Sequence, residues 1–133
     1  MENYIIQLRE HNLKATPQRA AITEALDIYG HLSIENLYEL LKKKFHSLSL
    51  ATVYKNVHIM VENSFVSEVK LPHRKSVYEL TKEAHSHLLC EKCGMIEDII
   101  LDLDEAVKSA KDKTDFEIKS VNFVLSGICK KCQ

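Results

Sequence analysis

The four cysteines of this chain stand as two pairs, Cys90-Glu91-Lys92-Cys93 and Cys129-Lys130-Lys131-Cys132. Just upstream of the first pair lies His85-Ser86-His87. Each CxxC lets two thiolates grip one ion from a tight turn. Two such grips make a closed, soft, tetrahedral cage suited to a permanent zinc. Zinc held this way is structural and forms part of the folding free energy. A redox role is the other use of a CxxC, but no strand-CxxC-helix pattern surrounds either pair. In an extended segment His85 and His87 point the same way, so their imidazoles can share a harder, more exchangeable ion. For that second ion, only this histidine pair stands out as ligands from the residues alone. Glu79 and Asp98 read as solvated carboxylates, and His31 as a plain surface or cap residue.

The bulk numbers set the class. A chain of 133 residues, 45% hydrophobic and 28% charged, fits one ordinary globular domain or two small ones. Pro17 and Pro72 are the only prolines, so no Pro-rich linker marks a boundary. The amino terminus has no basic region followed by an apolar stretch, and no run reaches the length of a membrane span. The expected location is the cytoplasm, with no membrane partner. There, paired cysteines hold metal more often than they form disulfides. Residues 1–82 carry eleven Lys/Arg against nine Asp/Glu, and residues 83–133 seven against ten, so net +2 is followed by net −3. That asymmetry leans only weakly toward a nucleic-acid partner for the first half, and ordinary solvated faces account for it about as well.

The elements that must position these groups follow from local signals. A first helix is expected over about 3–11. Thr16 can cap, and Pro17 can open, a second helix over 17–29 that Gly30 ends. Ser33 caps a third helix, with Ile34, Leu37, Tyr38 and Leu41 at helical spacing and Lys42-Lys43-Lys44 at its close. Ser47 and Ser49 offer caps for a fourth helix over about 50–63, with Leu50, Val53, Val57, Met60 and Val61 as the inner stripe. Residues 65–71 and 76–80 read as strands around a turn at 72–75. This order predicts a winged helix-turn-helix over 1–82. Residues 83–133 predict a small α/β domain with strands over 95–101 and 116–125 and a helix over 103–112. The fold class is α+β, and the second domain is too small to bury much core without a metal staple or a partner subunit.

The fourth helix would be the recognition helix, with Ser49, Thr52, Tyr54, Lys55 and Asn56 outward. Hydroxyls and amides can bond base edges, and Lys55 can reach phosphate or guanine. Lys14 and Arg19 could clamp the backbone, and the wing residues Arg74 and Lys75 could reach a neighbouring groove. The segment Ser49-Leu50-Ala51-Thr52-Val53-Tyr54-Lys55-Asn56-Val57 resembles the recognition helix of the ferric uptake regulator (Fur) family. Lys14-Ala15-Thr16-Pro17-Gln18-Arg19 resembles that family's second-helix entry, and the likeness runs on to Cys132.

The resemblance implies a homodimeric, metal-dependent repressor of a palindromic double-stranded DNA operator, and not an enzyme. One competing class is a zinc hydrolase, but no HExxH or comparable helical pair is present, and another is an interaction module that uses a winged helix without DNA. The resemblance puts structural zinc on Cys90, Cys93, Cys129 and Cys132. It assembles His31, Glu79, His85, His87 and Asp98 into a regulatory site for Fe(II) or Mn(II), a donor set that also suits Zn(II). The ion would tie His31 to the second domain and set two recognition helices at half-site spacing. Asp98 is similar to the peroxide-sensing (PerR) branch, which carries aspartate there, whereas Glu79 is not. A further family site lacks its polar ligands at Ala84, Ser86 and Val121, although Glu105 remains. The peroxide-sensing branch implies Fe(II)-dependent oxidation of His31 or His85. The alternative is an iron- or other metal-responsive repressor without that chemistry.

Overall fold

In the computed structural model, which describes residues 2–133, the chain divides into two compact units, the first ending at Lys82 and the second running Glu83–Gln133. The first holds α1 (Glu2–Glu10), α2 (Pro17–Tyr29), α3 (Ile34–Leu41) and α4 (Leu50–Glu62), then the strands β1 (Val66–Val69) and β2 (Val77–Leu80). Each of α2, α3 and α4 starts at a hydroxyl cap. Thr16, Ser33 and Ser49 accept from the backbone N–H groups of Arg19, Asn36 and Thr52. Gly30 ends α2 at φ 82°, a conformation that would strain a side chain. The apolar stripes then bury Leu8, Ile22, Leu26, Leu37, Val53, Val57 and Met60 in one core.

Two expectations for this unit are corrected. Leu50 is 38% exposed rather than inward, because the packed stripe of α4 starts one turn later at Val53. β1 is shorter than 65–71 and its burial does not alternate. Val66 and Val69 are both buried, since pairing with β2 stops at Val69 and the chain leaves the pleat. β1 and β2 pair antiparallel as the wing, and Leu32 adds an isolated bridge to Tyr78. Helices α3 and α4 with this hairpin form a winged helix-turn-helix.

The second unit holds β3 (Ser86–Cys90), β4 (Ile96–Ile99), α5 (Asp104–Lys113), β5 (Val124–Gly127) and a short 3-10 turn at Lys130–Cys132. The sheet order is β4-β3-β5, with β4 antiparallel and β5 parallel to the central strand. β3 was not among the expected strands. Its residues Ser86, His87, Leu89 and Cys90 are all buried, so it carries no alternation to detect. The expected strand over 116–125 shrinks to Val124–Gly127. β3 has only His87 to Cys90 to offer β5, and Phe116 is left 77% exposed. No helix among the described residues is long and apolar enough to cross a membrane.

Candidate functional site

The cysteine cage is assembled by the β3 end, the turn after it and the 3-10 turn at the carboxyl end. Gly94, at φ 79°, closes the first turn by donating its N–H to the Cys90 carbonyl at 2.9 Å. The four sulfurs lie within 4.8 Å of one another, and Cys93 Sγ is 3.9 Å from Cys129 Sγ. A zinc–thiolate tetrahedron has edges of about 3.8 Å. The donor set therefore fits zinc in both chemistry and spacing. The backbone N–H groups of Cys129 and Cys93 donate to Cys90 Sγ at 3.3 and 3.5 Å. They stabilise its thiolate and pull the thiol down to about 6. The hydrogen bond to Cys129 pushes the Cys132 thiol up to about 12.

On the same sheet a second cluster forms. β3 and β4 pair so that His87 stands directly opposite Asp98. His87 Nε2 is 3.4 Å, and His85 Nε2 3.7 Å, from Asp98 Oδ1. The two imidazole rings meet edge-on at 4.6 Å between centroids. Period-two geometry explains the side-by-side imidazoles, and the cross-strand register explains the carboxylate. Both histidine side chains are under a tenth exposed, while the Asp98 side chain is 30% exposed.

In the first unit, His31 Nε2 lies 2.8 Å from Glu79 Oε2. The cause is the bridge between Leu32 and Tyr78, whose N–H groups exchange hydrogen bonds with each other's carbonyls. That bridge fixes the residues on either side, and Glu79 is buried there. An acid so placed is seldom without a cationic or hydrogen-bonding neighbour.

The α4 face forms a third group. Ser49 and Thr52 share a hydrogen bond at the head of the helix, at 2.9 Å. Arg19 Nε donates to Asn56 Oδ1 at 3.1 Å, and Arg19 Nη1 donates to the Lys14 carbonyl at 3.0 Å. Lys55 is exposed. Tyr54 Oη donates to Glu35 Oε2 at 3.0 Å, and Lys75 Nζ from the wing donates to the same oxygen at 3.2 Å. Arg74 lies in the exposed wing turn.

Comparison with known proteins accounts for this combination. Residues 10–126 match the model of the Ferric uptake regulator family. The chain belongs to the ferric uptake regulator family. One relative, the peroxide-responsive repressor PerR of Staphylococcus epidermidis, is 33% identical over 135 aligned positions, covering 100% of this chain and 90% of that protein. The Campylobacter jejuni peroxide stress regulator is 35% identical, with a TM-score of 0.68 over 96% of this chain and 98% of its own. The Vibrio cholerae ferric uptake regulator is 29% identical, with a TM-score of 0.75 over 94% and 98%.

As a Fur-family protein the chain is a metal-responsive transcriptional regulator. The Fur fold explains why a winged helix precedes a small sheet unit with a cysteine cage. Sequence reading missed two features of this Fur-family chain. One is the Arg19–Asn56 link. The other is Glu35, which reads as an ordinary acidic residue in the first turn of α3. No local pattern carries either contact, since the partners lie on different elements.

Proposed function

We propose that this chain is a homodimeric repressor that holds structural zinc on its four cysteines and a regulatory Fe(II) or Mn(II) at a separate site, and that it senses hydrogen peroxide when the ion there is Fe(II). The observation that carries the reading is the His85, His87 and Asp98 group, with aspartate at the position where the peroxide-sensing branch has it. Imidazole with carboxylate suits an exchangeable Fe(II) or Mn(II). By family resemblance His31 and Glu79 complete the ligand set. Ligands drawn from both units make metal occupancy and DNA affinity two readouts of one equilibrium.

Bound Fe(II) would supply the reducing equivalent that activates hydrogen peroxide. In net terms one oxygen atom of the peroxide is gained by an imidazole carbon and the other leaves as water. His31 and His85 are the imidazoles proposed to react. An oxidised ring is a poorer ligand, so the ion is released and the operator freed. Lys14, Arg19, Ser49, Thr52, Tyr54, Lys55, Asn56 and Arg74 are proposed to contact DNA. A palindromic operator follows from two recognition helices related by a dimer axis. Support for the dimer comes from Phe116, Val121, Phe123 and Leu125, all exposed, and from an apolar groove of about 460 Å³ lined by Leu88, Met95, Leu125 and Ile128.

The test loads the protein with Fe(II) or Mn(II) and measures binding to a duplex selected from a random-sequence pool, with and without peroxide. Loss of binding with iron alone, with one oxygen gained on a peptide holding His31 or His85, is the expected result. Glu79 favours a second reading, an iron-responsive repressor, because the peroxide-sensing branch carries aspartate there. Binding that survives peroxide with either metal would select it.

A further inference from the structure

Glu35 has no part in either metal group, yet one of its oxygens joins three elements. Oε2 accepts from Tyr54 on α4 at 3.0 Å and from Lys75 in the wing at 3.2 Å. The clamp borders an open pocket of about 240 Å³, which Ile34, Glu68, Ser76 and Tyr78 also line. Ser76 donates to Glu68 at 2.6 Å and braces the wing strand on the far side. A carboxylate paired with the wing lysine Lys75 is unfavourable for a surface that meets phosphate. It subtracts from the charge that any DNA sequence would feel. With its hydroxyl committed to Glu35, Tyr54 offers DNA its ring, held at a fixed angle on the recognition helix.

We infer that Glu35 is a specificity-determining positioning residue, which orients Tyr54 and restrains Lys75 so that sequence-independent binding is weakened and base reading is sharpened. The inference rests on the DNA-binding reading above. Its electrostatic half follows from counterion release, because a lysine held by a carboxylate adds little to phosphate neutralisation. Its geometric half follows from the hydrogen bond, since an unrestrained tyrosine samples several rotamers before it can contact a base. The Glu35 carboxyl lies below its ordinary range, held there by a backbone N–H and by Lys75, so the clamp is charged at neutral pH.

The test uses the metal-loaded full chain with two probes, a duplex selected from a random-sequence pool and a scrambled duplex of the same composition. Wild-type protein must first prefer the selected duplex; failure at that step overturns the DNA-binding reading itself. Glu35→Gln should tighten binding to the scrambled duplex and steepen its salt dependence by about one ion. It should lower the selected-to-scrambled ratio by about fivefold. Tyr54→Phe should lower the ratio too, and the double variant should go no further than the larger single loss. Additive losses would overturn the inference. So would an unchanged ratio, which is what a merely loosened fold or a pure charge effect would give. Thermal unfolding of each variant confirms that it is folded.

Discussion

His87 and Asp98 face each other across the β3–β4 register, with Nε2 3.4 Å from Oδ1. The antiparallel ladder alone brings this imidazole and this carboxylate together, and His85 joins them by alternation. Asp98→Asn keeps the shape and removes the charge. It should weaken Mn(II) binding by about 10–100-fold while about one zinc per chain stays bound. Metal titration with parallel zinc analysis reads both.

His31 and Glu79 are the matching pair of the first unit. His31→Ala takes away a hydrogen-bonding partner of a buried carboxylate. The metal-free protein should lose about 1–3 kcal/mol in urea unfolding. Adding Glu79→Gln should return part of that loss, because the neutral amide is cheaper to bury. No recovery would mean that the charge of Glu79 is not what His31 offsets.

The cysteine cage should be inseparable from the fold of the second unit. Its sheet has three short strands and α5 buries no residue. Cys90→Ser should abolish the tightly held zinc and the cooperative melting of residues 83–133, leaving the helical signal of the first unit. Calorimetry with zinc analysis decides.

Asn56 spends its amide oxygen on Arg19, which leaves its Nδ2 group for an acceptor on DNA. Asn56→Asp keeps the Arg19 contact and removes that donor. Binding to the selected duplex should fall by about tenfold or more with no loss of thermal stability. A variant that binds normally would show that Asn56 only braces α2 against α4.

Tyr54 should ionise above its ordinary 10.0, since its hydroxyl donates to the negative Glu35. A raised value means that the bond contributes stability at pH below 10 and loses it as pH climbs through the folded value. Phenolate absorbance, taken as wild type minus Tyr54→Phe, reads this directly. Glu35→Gln should bring the value down.

Much of this was legible from local signals. Thr16-Pro17, Ser33 and Ser49 mark helix starts because a cap needs only a hydroxyl and an N–H two or three residues on. The stripe Val53, Val57 and Met60 marks an inner face by spacing alone. β3 was invisible because a strand buried on both faces shows no alternation, and residues 116–123 were misread because alternation says nothing about whether a pairing partner exists.

By itself the sequence determined the winged-helix order and the two thiolate grips, because caps, helical stripes and CxxC turns close over a few residues. It also carried the family likeness through Ser49–Val57 and the histidine–cysteine cluster. The tertiary structure alone decided which side chains meet. The Leu32–Tyr78 bridge sets His31 on Glu79, the β3–β4 register sets His87 on Asp98, and the wing and α4 converge on Glu35. Each of these contacts depends on strand register or helix packing between distant segments, which is fixed by the whole core and not by neighbours in the chain.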